Sequence, residues 1–319
     1  MGVRAEARGW RVLRCSGEDA APRLGAIDPA APRRVLLLED DDLVALLEGG
    51  DVAERAAASR EAVEAYDEQT LALPEPWELL IPLVPPETWA AGVTYERSRD
   101  ARLEESKTEA RDAYSLVYEA ERPELFLKDC DGRRSVGPAG TIGIRSDASW
   151  TVPEPELALV LGNGGRLLGV TIGNDVSSRD IEGANPLYLP QAKIYAGACA
   201  LGPAVLLPDD WSEPFAIELR IRAGGETVFA GETSTARMRR SFEELVEFAL
   251  RDNPLRPGTV LLTGTGLVPP DELSLEPGYE VEIRIPGIGT LVNPVARASD
   301  LPGATAETRR TDVRSEAHV

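Results

Sequence analysis

The chain has 319 residues, with 34 Lys and Arg against 54 Asp and Glu, a formal net charge of −20. That balance argues against binding a nucleic-acid backbone, which needs clustered positive charge, and disfavours an anionic membrane surface. The one histidine, His318, stands second from the last residue, so any chemistry here runs without an internal imidazole: no Ser-His-Asp or Cys-His group, no His-rich zinc or iron site.

The residues numbered 1–85 read as a small separate unit. The charged start, MGVRAEARGWRVLRC, has no apolar core of a signal peptide. Strand-like runs at 10–13 and 35–38 are followed by two helical stretches, 43–47 and 52–66, the second rich in Ala and Glu. Prolines 82, 85 and 86 then punctuate the chain. From 86 to 297 short apolar runs alternate with Gly and Pro, at 158–161, 167–172, 217–221, 260–262 and 279–285, the texture of a strand-rich domain. One amphipathic helix interrupts it at 241–252, with Phe242, Leu245, Val246, Ala249 and Leu250 at helical spacing. The charged stretch 98–113 reads as an exposed helix face or a lid, and 298–319 as a disordered polar tail in which His318 is inert. Cys15, Cys130 and Cys199 are odd in number and unpatterned, as expected of free, buried thiols in a reducing cytoplasm. No apolar run approaches the ~18 residues of a membrane-crossing helix.

The stretch Val152-Pro-Glu-Pro-Glu-Leu-Ala-Leu-Val-Leu161 carries the most chemistry. In a strand, side chains alternate faces. Glu154, Glu156, Ala158 and Val160 then share one face, and Leu157, Leu159 and Leu161 the other. Gly162-Asn-Gly-Gly165 is a turn signal. A tight hairpin places Glu156 opposite Thr171 and Glu154 opposite Gly173, with Asp175 just beyond on the same face. A one-residue slip would send Asp175 to the other side. Three converging carboxylates without His or thiolate select a hard cation, Mg²⁺ first, then Mn²⁺ or Ca²⁺. Spacing alone leaves open the alternative of separate surface acids, because acidic residues are abundant here. Lysines are few, and Lys193, Lys128 and Lys107 stand out weakly; Lys193 lies in an apolar neighbourhood where a lysine acts as a base or holds a carboxylate.

Seven ordered segments carry a resemblance: Gly92-Val-Thr-Tyr95, Pro123-Glu-Leu-Phe-Leu-Lys128, Glu154-x-Glu156, Gly173-Asn-Asp-Val-Ser-Ser-Arg-Asp180, Lys193, Leu262-Thr-Gly-Thr-Gly266 and Gly287-Ile-Gly-Thr-Leu-Val-Asn293. Over about 88–296 the chain resembles the fumarylacetoacetate hydrolase superfamily. The resemblance implies an α+β, β-rich fold, a mixed β-roll with a small N-terminal α/β domain, usually dimeric. It implies Mg²⁺ held by Glu154, Glu156 and Asp175, Lys193 pointing into the site, and Thr265 on a substrate-binding rim. One departure matters. Hydrolases and decarboxylases of the superfamily place a His, with a partner Glu, at the positions held here by Ser98 and Ala101, and Thr94 replaces the motif's Asn. The pattern around 92–98, 179–193 and 263–266 looks more like the sugar-acid branch, the 2-keto-3-deoxy pentonate dehydratases.

That branch implies a 2-keto-3-deoxy sugar acid whose C1 carboxylate and C2 keto oxygen chelate the metal, a Lewis acid for the enolate left when a C3 proton departs. Lys193 is the expected C3 base. Ser98 and Arg97 would hold the hydroxyl end, Arg179 would offset the acidic excess or form a structural salt bridge, and Glu104, Glu105 or Glu124 would protonate the leaving hydroxyl. The product expected from a pentonate is 2,5-dioxopentanoate. The runner-up readings are an acylpyruvate hydrolase or oxaloacetate decarboxylase using the same metal, and a non-catalytic 2-keto-acid binder.

Overall fold

The computed structural model describes residues 9–64, 66–96 and 117–302. Among them the strands form two large sheets and one short pair. The larger sheet has twelve strands. Its main path runs from Glu61–Glu64 through Arg34–Leu37, Pro22–Ile27 and Gly9–Ser16 to Cys199–Pro208, then Leu167–Asp175, Pro155–Leu161, Val260–Leu262, Glu87–Gly92 and Glu124–Cys130. Most neighbours are antiparallel, but Val260–Leu262 runs parallel to Glu87–Gly92. The second sheet has five strands, in the order Glu226–Ser234, Ala216–Ala223, Tyr279–Ile285, Gly289–Arg297 and Ile142–Ile144. The expected β-rich, mixed-sheet fold is therefore the one observed.

The strand Pro155–Leu161 is buried on both faces, and its alternation sorts the core into two parts. Leu157, Leu159 and Leu161 pack towards the second sheet, against residues such as Ile217, Leu219, Val281 and Ile283. Ala158 and Val160 face the other way, into a cluster with Leu43, Leu46, Leu47 and Val52 from the two N-terminal helices. Each fully buried leucine of this kind contributes about 1.5–3 kcal/mol relative to an exposed one, so the strand that carries Glu154 and Glu156 towards its start is firmly anchored.

The N-terminal strands share the main sheet. Gly9–Ser16 pairs with Cys199–Pro208, Trp10 opposite Leu207 and Val12 opposite Val205. Hydrogen bonding thus runs continuously from the unit expected over 1–85 into the strands that follow. The stretch expected as one helix over 52–66 splits. Its helix is Val52–Ala58, capped by Asp51, whose side chain accepts from Ala53 and Glu54 backbone N–H groups. Glu61–Glu64 is a strand paired with Arg34–Leu37. Ser59 makes the break, its hydroxyl bonding the Leu37 and Glu61 carbonyls at 2.7 and 2.9 Å. A free sheet edge outweighed the helical propensity of Ala and Glu, as tertiary context commonly does. The amphipathic helix is present as Phe242–Leu250, with Ser241 accepting from the Glu244 N–H as its N-cap. Ala298–Asp300 forms a 3-10 turn and Ala298 joins the core, so the polar tail does not begin at 298. Residues 303–319, with His318, and the 98–113 stretch lie outside the described residues. Among the described residues no helix is long and apolar enough to cross a membrane.

Candidate active site

The hairpin of Pro155–Leu161 and Leu167–Asp175 builds the floor of the site. Glu156 lies opposite Gly173, Pro155 opposite Asn174 and Ala158 opposite Thr171. The tight register expected from the glycines is therefore displaced by two residues. The connection is a 3-10 turn, Asn163–Gly165, with left-handed backbone at Gly164 and Gly165, followed by a register irregularity beside Leu161. A shift of two preserves the face of every side chain, whereas a shift of one would have reversed it. Beyond the paired strands, the Asp175 N–H donates to the Glu154 carbonyl at 3.0 Å, and the Glu154 N–H to the Asn174 side chain at 3.2 Å.

Glu154, Glu156 and Asp175 consequently meet. Each offers a carboxylate oxygen, these lie within 4.8 Å of one another, and all three residues are buried. Three cationic side chains surround them. Lys193, at the end of the short helix Leu189–Lys193, places Nζ 2.9 Å from Glu154 Oε2, 2.9 Å from Asp175 Oδ2 and 2.5 Å from Ser177 Oγ. The Arg179 guanidinium lies 3.0 Å from Glu154 Oε1. Lys128 pairs with Asp175 Oδ1 and donates to the Val176 carbonyl at 3.0 Å. Among the described residues Glu156 has no such ion pair, and its Oε2 accepts the Gly264 N–H at 2.5 Å. Burial, then the Asp175 and Glu154 charges, push the Glu156 carboxyl well above the usual carboxylate range. A divalent cation reverses that balance by stabilising the ionised form.

Glu154, Glu156, Asp175, Lys193 and Arg179 line one pocket with Ala91, Gly92, Val93, Glu124, Phe126, Glu182 and Thr265. The structure thus brings together six of the residues singled out in the sequence, Glu154, Glu156, Asp175, Lys193, Arg179 and Thr265. Glu124 also reaches the pocket, and its carboxylate lies directly over Gly92, where an added Cβ would stand 2.0 Å from Oε2. Arg97, Ser98, Glu104 and Glu105 lie outside the described residues. Thr265 Oγ1 shares hydrogen bonds with the Leu267 backbone, which fixes it on the rim. The loop carrying it is tight: Gly264 has φ 90°, and a Cβ there would fall 2.0 Å from Thr94 Oγ1. Thr94 in turn bonds the Thr263 carbonyl at 2.7 Å.

Two participants were given no role on sequence grounds. Lys128 is wholly buried against Asp175. Its signal was available, because the chain has only three lysines and two of them meet here. Glu182, buried in the pocket wall on the helix Arg179–Ala184, gave no signal beyond its place among many acids. The cysteines are free as expected. Cys199 lies beside Asp175 across the sheet, and burial pushes its thiol up to about 12, which makes it chemically quiet.

An all-carboxylate, buried donor set backed by cationic side chains, on a mixed sheet of this kind, defines the class. The chain belongs to the fumarylacetoacetate hydrolase family, whose model, described as fumarylacetoacetate (FAA) hydrolase C-terminal, matches residues 100–296. Within the family it is similar to the 2-dehydro-3-deoxy-D-arabinonate dehydratase of Saccharolobus solfataricus, 46% identical over 68% of this chain and 74% of that one. It is 48% identical to a Haloferax volcanii protein named "Probable 2-keto-3-deoxyxylonate dehydratase", over 67% of this chain and 74% of the relative. A solved structure of 2-keto-3-deoxy-D-arabinonate dehydratase complexed with magnesium and 2,5-dioxopentanoate matches with a TM-score of 0.78 at 37% identity, over 90% of this chain and 99% of the other.

Proposed function

We propose that the chain is a Mg²⁺-dependent hydro-lyase that dehydrates a 2-keto-3-deoxy pentonate to 2,5-dioxopentanoate. The observation that carries the reading is the convergence of Glu154, Glu156 and Asp175 in one buried pocket with Lys193, together with relatives of that activity at 46 and 48% identity. The donor set fits a hard cation, since all three ligands are carboxylates whose oxygens already lie within 4.8 Å of one another. Glu154, Glu156 and Asp175 would hold it, and when bound it supplies a Lewis acid for the substrate's C2 keto oxygen.

The chain's own residues do the rest. Lys193, once it has given up its ammonium proton, takes the C3 proton, its Nζ standing beside the Glu154 and Asp175 carboxylates. Glu124, the one of the expected acids that lines the pocket, gives the C4 hydroxyl the proton with which it leaves as water. A proton shift from C5 to C3 gives an enol, and its return to the carbonyl form yields the C5 aldehyde. Arg179, tied to Glu154 at 3.0 Å, fixes the orientation of that carboxylate and offsets the acidic excess. Thr265 contacts the substrate from the rim. Arg97 and Ser98 take the hydroxyl end, and Ser98, in place of a histidine, favours elimination over water attack on a C–C bond. The catalytic machinery lies within 86–297, and the protein works in the cytoplasm as a homodimer, readings supported by its free thiols and by the family resemblance.

The experiment is a product assay of purified protein and Mg²⁺ with a 2-keto-3-deoxy pentonate, oxaloacetate and an acylpyruvate in parallel. The proposal expects turnover of the first far above the other two. Preferential decarboxylation of oxaloacetate or cleavage of the acylpyruvate would overturn it, and binding without turnover of any would leave a 2-keto-acid binder.

A further inference from the structure

The three ligand carboxylates and the three cations beside them differ in how they are held. Two lysines grip Asp175 from opposite sides, Lys128 at Oδ1 and Lys193 at Oδ2. Lys193 ends a short helix and bridges two of the three carboxylates. Lys128 projects from the strand Glu124–Cys130, pairs with one carboxylate, and donates a hydrogen bond to the Val176 carbonyl at 3.0 Å. It has no exposed surface. In a chain that otherwise uses arginine for its positive charge, lysine is kept here.

With Arg179 on Glu154, three cations face the three ligand carboxylates, with Glu124 and Glu182 also in the pocket wall. A divalent cation entering this set meets carboxylates whose charge is already partly offset. Lys193 and Arg179 both lie on Glu154, on opposite oxygens, while Lys128 pairs with Asp175 at Oδ1. It stays close to any cation held by this set.

We propose that Lys128 is a fixed counter-cation that holds down the affinity of the Glu154, Glu156 and Asp175 set for a divalent cation and keeps the bound cation electrophilic. The inference rests on the reading of this set as a Mg²⁺ site. Two like charges bracketing one carboxylate repel strongly in a poorly screened interior, which weakens binding. A carboxylate paired with an ammonium also gives less electron density to a cation it holds, as outer partners tune ligands in metal sites generally. The site thereby trades tight retention of the cation for Lewis acidity. If Lys128 served only to orient Asp175, its loss would disorder a ligand and weaken binding, the opposite sign.

The test is Mg²⁺ titration calorimetry on the full chain, with Mg²⁺ alone as the probe, for wild type, Lys128→Met, Lys128→Gln and Lys128→Arg. Lys128→Gln keeps a donor for the Val176 carbonyl and guards against a Met variant that fails to fold. The uncharged variants are expected to bind Mg²⁺ at least about tenfold more tightly than wild type, and Lys128→Arg within about threefold of it. Per bound cation, turnover by the uncharged variants is expected to fall. Equal or weaker Mg²⁺ binding by the uncharged variants, or equal tightening by Lys128→Arg, would overturn the inference while leaving the metal site intact. Absence of Mg²⁺ binding to wild type would instead remove the metal reading and the inference with it.

Discussion

Asp175→Asn perturbs the charge cluster at its best-connected point. The Asp175 carboxylate pairs ionically with Lys128 at one oxygen and with Lys193 at the other, and all three side chains are almost wholly buried. An amide of the same shape keeps one acceptor and turns an NH₂ group towards the second ammonium. Breaking a buried ion pair by removing one partner typically destabilises by about 3–5 kcal/mol. The two pairs share Asp175, so their losses do not simply add, and the expected total remains about 3–5 kcal/mol. Set against a typical stability of about 5–15 kcal/mol, this is a large fraction, and the melting temperature should fall by roughly 10 °C. The assay is thermal unfolding with chelator present, so that no cation compensates. A variant melting within about 2 °C of wild type would refute the charge cluster as a stabilising unit and, with it, the geometry on which the metal reading stands.

Glu156 predicts a pH signature. Its carboxyl is raised above the ordinary value by burial and by Asp175 and Glu154, so the folded chain holds that proton longer than the unfolded chain does. Stability tied to it is full below the usual carboxylate range and is lost as the pH climbs through the raised value. Without metal, wild type should lose melting temperature as the pH rises above the usual carboxylate range, and Glu156→Gln should lose less; parallel curves would contradict the cause assigned. Gly264→Ala forces a Cβ to 2.0 Å from Thr94 Oγ1 at a φ of 90° and displaces the N–H that binds Glu156. It should destabilise by about 1–3 kcal/mol and reduce kcat, measured by melting and turnover, whereas wild-type values for both would show the loop to be pliable. Native protein at about pH 8 should leave Cys15 and Cys199 unlabelled by a thiol reagent, since burial holds the two thiols near 11 and 12; rapid labelling of either would show that its cover opens.

Much of the site was legible because strand periodicity fixes faces before it fixes partners. Glu154, Glu156 and Asp175 converge although the hairpin register is displaced by two residues. The displacement came from the turn: four residues rich in glycine permit several connections, and only the packed sheet selects one. Likewise the Ala- and Glu-rich stretch after Val52 carries a helix signal to its end, but Glu61–Glu64 finds an open edge at Arg34–Leu37. Such pairings join distant segments and leave no local trace. Lys128 shows the other limit. Its rarity marked it, yet its role depends on Asp175, 47 positions later in the sequence, being folded against it. The continuous sheet through Trp10 and Leu207 was hidden for the same reason, since proline punctuation at 82–86 suggested a boundary that the hydrogen bonds cross.

The central claim is that this cluster supports metal-dependent dehydration. Proton magnetic resonance of a 2-keto-3-deoxy pentonate mixed with the protein tests it most directly, with Mg²⁺, with chelator, and with Mg²⁺ restored. The account predicts an aldehyde resonance of 2,5-dioxopentanoate that grows with Mg²⁺, stops with chelator and resumes on restoration. Shorter fragments from C–C cleavage, or product forming at an undiminished rate under chelator, would contradict it.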